Sequence, residues 1–227
     1  MFAAKPKSMT LTLRVLARLL SYPDAALRAH LDEMRDALRA EQALSAPRLA
    51  EIEALIASIE RQSAIDAEAD YVQLFDSGRS TSLHLFEHVH GDSRDRGPAM
   101  IDLVRTYEQA GLFLGEGQMP DHLPVVLEYA STQPPREARA FLAEIAHILN
   151  VILAALAKRA SRYASVLGAL IELAGETART VAVPDDVPIY EAWDEPLAFD
   201  GCSSLGQAKP GRFRRRLFHL RMLAEIE

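Results

Sequence analysis

The stretch that most limits what this chain can fold into is FLAEIAHILNVILAAL, residues 141–156. Phe141, Ile145, Ile148, Leu149, Ile152 and Leu156 recur at helical spacing, and Leu142 and Leu153 widen the stripe. An apolar face that broad predicts a central helix packed on more than one side. Other apolar helices must therefore surround it. At roughly 100° per residue, Glu144 falls to the side of the stripe and His147 nearly opposite it, so both are predicted to face solvent.

The surrounding helices are legible in order. Leu11, Val15, Leu16, Leu19 and Leu20 share one face of a first helix, which the Tyr22-Pro23-Asp24 turn stops. Asp24 is placed to cap a second helix carrying Leu27, Leu31, Met34 and Leu38. Pro47 sits where a first-turn proline is tolerated, ahead of Leu49, Ile52, Leu55, Ile56 and Ile59. A helix is predicted over 66–75, ending at Asp76-Ser77-Gly78. Met100, Leu103, Val104, Tyr107 and Leu112 mark another, closed by Gly115-Glu116-Gly117. Asp121 is then predicted to cap a short helix with Val125, Val126 and Tyr129, and a last helix covers 163–180. Clusters of Val, Thr and Gly at strand spacing are missing. The expected fold is all-α: one helical bundle over residues 1–183, followed by a poorly ordered, flexible tail over 184–227.

That tail is acidic and Pro-containing at first, then basic: Lys209 to Arg221 holds six cationic residues and no acidic one. The rest of the chain is thus more acidic than the formal net charge of −7 suggests, which argues against general nucleic-acid binding. The N-terminus is basic and then partly apolar, but Arg14 and Arg18 interrupt it and no small-residue cleavage site follows, so an amphipathic helix is expected there and not a signal peptide. No run approaches the ~18 uninterrupted apolar residues of a membrane span. The single Cys202 makes no internal disulfide and suits a reducing cytoplasm.

Against this plain background, residues 71–100, YVQLFDSGRSTSLHLFEHVHGDSRDRGPAM, stand apart. They hold three of the seven histidines, the aromatic residues Tyr71, Phe75 and Phe86, and a loop of alternating charge, Asp92, Arg94, Asp95 and Arg96. His84-Leu85-Phe86-Glu87-His88 spells H-x-x-E-H, a zinc-peptidase motif that would set two histidines on one helix face with Glu87 activating water. That chemistry needs a further acidic ligand and an α/β scaffold, and no strand pattern is present. A metal-dependent hydrolase using His84, Glu87 and His88 is the rival reading. Glu-x-x-His occurs twice, at Glu87/His90 and Glu144/His147, as in di-iron bundles; the outward phase of Glu144 and His147 removes that reading. With no nucleophile paired to a base, no phosphate-binding glycine loop and no Rossmann fingerprint, the residues point to binding and not catalysis.

Several blocks together resemble one family. Tyr71-Val72-Gln73-Leu74-Phe75, Gly78-Arg79, Ser82 through Gly91, Ser93 through Gly97, and Pro120-Asp121-His122-Leu123-Pro124 with Leu127-Glu128-Tyr129 strongly resemble the NarJ family, the molybdenum-cofactor assembly chaperones (delta subunit) of respiratory nitrate reductase. The acidic residue that relatives in the wider family often carry just before the Pro-Asp-His turn is replaced here by Gln118 and Met119.

The resemblance implies the all-helical fold of redox-enzyme maturation proteins and a cytoplasmic chaperone with no cofactor of its own. It further implies binding of the apo catalytic (alpha) subunit of nitrate reductase, mainly through that subunit's N-terminal segment. The alpha–beta complex would be kept open to molybdenum cofactor insertion before membrane docking. A chaperone of another molybdoenzyme is the variant of this reading. Nucleic acid and stable membrane insertion are not expected.

The expected partner-binding residues are the walls Tyr71, Phe75, Leu85 and Phe86, with Leu74 and the polar residues His84, Glu87, His88, His90, Asp92, Arg94, Asp95 and Arg96. Asp121, His122 and Glu128 of the second block complete the set. An amphipathic segment would lay its apolar face in a helix-bounded groove, the charged turn would select a basic partner, and His88 and His90 would make affinity pH-dependent.

Overall fold

The computed structural model describes residues 8–90, 93–179 and 181. Among these residues there are ten α-helices, one 3₁₀ turn (Arg79–Thr81) and no strand. The helices are α1 Thr10–Leu19, α2 Ala25–Ala29, α3 Leu31–Glu41, α4 Ala46–Arg61, α5 Ala64–Phe75, α6 Leu85–Val89, α7 Arg96–Gln109, α8 Leu123–Thr132, α9 Pro135–Lys158 and α10 Ala164–Ala174. The all-α expectation holds. The tail of residues 184–227, with its basic run and Cys202, and the predicted binding residue Asp92 lie outside the described residues.

Helix α9 is the spine. Its 24 residues lie against α10 and α8, and α1 in turn packs on α8 and α3. Leu142, Leu149, Ile152 and Leu156 are fully buried, and Glu144 and His147 are exposed as their phase requires. The buried arc is turned from the expected one: Phe141, Ile145 and Leu153 are only half-buried, while Ala138, Ala146 and Ala155 are buried. Small residues let the neighbouring helices approach closely, so the contact line follows the alanines more than side-chain size. By length and composition α9 alone among the described helices could cross a membrane, yet its apolar face is the core of this bundle.

A buried polar residue, Asn150, was not anticipated on this helix. Its amide donates to Ala146 O at 2.7 Å, and its Oδ1 accepts from Arg179 N at 2.6 Å, tying down the chain beyond α10.

Several boundaries differ from the sequence expectation for local reasons. Helix α1 is buried on more than one side, at Leu13, Leu16 and Leu19, and leaves Leu11 at its edge, 44% exposed. The second predicted helix is two, α2 and α3, broken at His30, whose φ of −114° is not helical. Asp24 does cap α2, accepting from Leu27 N at 2.8 Å. Helix α7 stops at Gln109, short of Leu112. Helix α10 stops at Ala174 and does not reach Thr180, because Gly175 adopts φ +77°, a left-handed cap that glycine takes without steric cost.

One helix start is capped from a distance. Glu41, at the end of α3, accepts from Leu11 N at 3.2 Å, Thr12 N at 2.7 Å and Ser8 Oγ at 2.7 Å. It thereby satisfies the amides that the first turn of α1 leaves open. Glu41→Ala is expected to cost about 1 kcal/mol, the usual value of a side-chain cap. Urea denaturation checks this; an unchanged midpoint would mean water replaces the carboxylate at no loss.

Candidate functional site

Two segments about thirty-five residues apart in the chain meet in a single polar knot. After the 3₁₀ turn the backbone runs extended, and Leu123 N donates to Leu83 O at 2.8 Å while Leu85 N donates to Asp121 O at 3.0 Å. This pair forms an isolated antiparallel bridge between His84 and His122. The Asp121 side chain is 0% exposed. It does not cap the helix that follows it; His122 takes that position, without a side-chain bond. Asp121 Oδ2 instead accepts from Phe86 N at 3.2 Å, capping α6 across the bridge. The expected capping role is therefore real but serves a different helix, because the bridge turns the carboxylate toward α6.

A buried carboxylate is costly unless its lone pairs are matched. His84 Nδ1 donates to Asp121 Oδ1 at 3.3 Å. Arg96 Nη2 stands 3.7 Å from Asp121 Oδ2 and 3.6 Å from Glu87 Oε1. The rings of His84 and His122 stack with centroids 5.1 Å apart.

Their titration is driven in opposite directions. The hydrogen bond to Asp121 raises His84 above the ordinary histidine range, and burial opposes this without reversing it. Burial first, and the neighbouring His84 second, push His122 down to about 4. Of the stacked pair, His84 is the ring that protonates more readily.

The sign of each effect on stability follows. His84 has the raised value, so its contribution is fully present below the unfolded histidine pKa of about 6.5 and is lost as pH rises through its folded value. His122 is depressed; the unfolded chain takes up its proton below about 6.5 and the folded one only near 4, so its contribution falls as pH drops through that window. Between pH 6.5 and 5, His122→Gln is expected to flatten the loss of stability by about 1 kcal/mol, discounted for partial exposure. His84→Gln is expected to steepen it. Urea titrations at both pH values check this, and equal slopes in the two variants would remove the pair from the account.

The metal motif does not assemble. His84 flanks α6 instead of lying in it, so the two histidines never share a helix face. His88 Nε2 donates to Ser82 O at 2.8 Å, and His84 faces Asp121. Among the described residues no three His, Cys, Asp or Glu side chains are arranged to hold a metal ion.

The other expected binding residues divide by depth. Tyr71, Phe75 and Leu85 are core side chains, at 6%, 5% and 3% exposure. Tyr71 donates to Leu20 O at 2.8 Å, and its ring meets Tyr22 and Tyr163 edge-on and Phe75 at a tilt. Phe86 is half-buried with its ring edge-on to His90 at 5.4 Å, and Arg94 and Asp95 are exposed.

Leu74 and Glu128 line two different cavities. The first, of about 680 Å³, lies beside α5 and the α9–α10 turn. Carbonyls of its lining residues are already bonded to arginines: Arg28, outside the cavity, donates to Ile59 O and Gln62 O, both at 2.7 Å, and Arg159, in its wall, to Leu74 O at 3.3 Å. These are carbonyls at helix C-termini, which need such donors.

The second cavity, of about 410 Å³, is apolar and adjoins the knot. Its walls include Tyr107, Leu112, Phe113, Leu114, Val125 and Tyr129, with the buried Ser131 in the lining and the exposed Arg14 and Glu128 at the rim. Phe113 is 80% exposed. Tyr107, Tyr129 and Phe141 form an aromatic ladder, at 5.0 and 5.3 Å between centroids. Tyr107 also donates to Pro120 O at 2.8 Å, joining groove wall to knot. Except for Glu128, the sequence reading did not place these residues in the site. The available signal was Gly111-Leu112-Phe113-Leu114-Gly115, an apolar triplet bounded by glycines, which lies beyond the end of α7 at Gln109.

Comparison with known proteins agrees with this architecture. The family model described as nitrate reductase delta subunit matches residues 21–167. The nitrate reductase molybdenum cofactor assembly chaperone NarJ of Escherichia coli (strain K12) is 42% identical over 195 residues, covering 86% of this chain and 83% of the relative. A probable chaperone of the same description from Bacillus subtilis (strain 168) is 30% identical over 164 residues, 71% of this chain and 86% of its own. The crystal structure of a putative redox enzyme maturation protein from Archaeoglobus fulgidus superposes with a TM-score of 0.53 at 20% identity, covering 78% of this chain and 98% of that one, a likeness of fold alone.

Proposed function

Because this chain belongs to the nitrate reductase delta-subunit family, we propose that it is an assembly chaperone which holds the catalytic subunit of a nitrate reductase during molybdenum cofactor insertion. The molybdenum cofactor is cargo for the partner and not a resident group of this chain. The contact is made through the partner's N-terminal segment, before the catalytic complex docks at the membrane, and it takes place in the cytoplasm. The protein works by binding and performs no catalysis of its own.

The observation that carries the mechanism is the apolar groove left open beside the polar knot, with Phe113 at 80% exposure. An apolar surface of this kind rimmed by polar groups fits the apolar face of an amphipathic segment. Glu128 at the rim favours a cationic residue next to that face, and it joins Arg94, Asp95 and Arg96 as the charges that select the partner. Tyr71, Phe75 and Leu85 contribute by holding the frame; Phe86, His88 and His90 stand closer to the surface.

Calorimetric titration of the partner's N-terminal segment, with co-purification of the catalytic subunit from cells, tests the reading. Saturable binding with negative heat-capacity change is expected, the mark of apolar burial. Failure of that segment to bind, together with capture of a different molybdoenzyme, would reassign the partner. Stoichiometric, tightly held zinc in the purified protein would revive the hydrolase reading.

A further inference from the structure

Helix α7 is anchored unlike the other long helices. Of its 14 residues only Tyr107 is buried; Met100, Leu103 and Val104 are half-buried and Ile101 is 54% exposed. Beside those half-buried apolar side chains, two polar links fasten it, one near each end, and both reach the same turn. Arg96 Nη2 lies 3.7 Å from Asp121 Oδ2, and Tyr107 donates to Pro120 O at 2.8 Å. Past its C-terminus, Gly111 and Gly117 both sit at φ +77°, where the chain changes direction in a conformation other residues resist.

We propose that α7 is a strap which opens as one unit by releasing both fastenings to the Pro120–Asp121 turn, and that opening extends the apolar groove toward that turn. A helix with a single fully buried side chain separates from the bundle at lower free energy than the core helices unfold. Once released it has little reason to persist, since an isolated helix of this length is marginal in water. Its amides therefore become exchangeable on opening. Tyr107 is both the fastening at the C-terminal end and a wall of the groove, so the strap cannot lift without unroofing that end. This second half rests on the groove being the partner's site; the first half does not.

Hydrogen exchange on the full-length protein, read by mass spectrometry without any partner present, tests the strap. In the wild type, α7 amides are expected to exchange at least tenfold faster than those of α9 and α10. Tyr107→Phe keeps the ring and removes the hydroxyl donor. It is expected to accelerate α7 by about fivefold, the factor carried by one hydrogen bond, along the whole helix. Arg96→Gln is expected to do the same from the other end, and the double variant to show about the product of the two factors. Protection of α9 and α10 serves as the control for folding.

Acceleration confined to the mutated end means fraying and overturns the strap, as does wild-type exchange of α7 in step with α9. Anilinonaphthalene sulfonate fluorescence, expected to rise in the double variant, reads the groove; accelerated exchange with unchanged fluorescence overturns the unroofing. Failure of a partner segment to bind would instead overturn the chaperone reading and leave these exchange rates as they are.

Discussion

Asp121→Ala is expected to lower the stability of the bundle by about 3 kcal/mol, the largest loss from any polar site described above. The carboxylate is fully buried and has three partners: Phe86 N at 3.2 Å, His84 Nδ1 at 3.3 Å and Arg96 Nη2 at 3.7 Å. Removing it strands the Phe86 amide at the start of α6, takes the acceptor from His84 and leaves Arg96 with Glu87 as its remaining acidic neighbour. For an ordered region of this size that corresponds to a fall in melting temperature of roughly 10 °C. Asp121→Asn is expected to cost less, because its carbonyl still accepts from Phe86 N while its amide meets His84 and Arg96 with no charge to offer. Urea unfolding of both variants decides it. A loss below 1 kcal/mol for Asp121→Ala would mean that the backbone bridge holds the two segments together by itself.

Phe113→Asp is expected to leave stability within ~0.5 kcal/mol, as a highly exposed position allows, and to weaken partner binding by about 2 kcal/mol, roughly 30-fold. The ring is 80% exposed, so the fold gains little from it, whereas a partner's apolar face would bury it at the mouth of the groove. A carboxylate there adds desolvation cost on top of lost contact. Calorimetry on the partner segment checks the affinity, and thermal melting checks the fold. Unchanged affinity would move the segment elsewhere, with the cavity beside α5 the next place to look. Asp121 and Phe113 thus separate two kinds of loss: one variant damages the frame that presents the groove, and the other damages the groove.

The resemblance read from residues 71–129 and the match of the family model over residues 21–167 agree about the family. What the sequence did not show was which of those residues meet a partner. Tyr71 and Phe75 read as walls of a partner groove because they lie in an unusual stretch. In the bundle they are core, held by Leu20 O and the ring of Tyr163. Exposure is a property of the assembled bundle, and a stretch of chain carries no direct record of what covers it.

Most of the long helices are legible in the sequence, because apolar spacing, caps and breakers act within a few residues: the α9 spine, the Asp24 cap on α2, the proline start of α4 and the outward phase of Glu144 and His147 all follow from local rules. The sequence also ruled against the di-iron reading by phase alone. Tertiary structure alone decided the partnerships across distance. Asp121 caps α6 and not its own helix, Glu41 caps α1, and the rings of His84 and His122 stack with their pKa values pushed in opposite directions. Only the assembled bundle leaves Phe113 uncovered beside the knot. The physical reason is range: a helix is specified by contacts three or four residues apart, whereas a buried charge takes whichever partners the packing of distant helices brings to it.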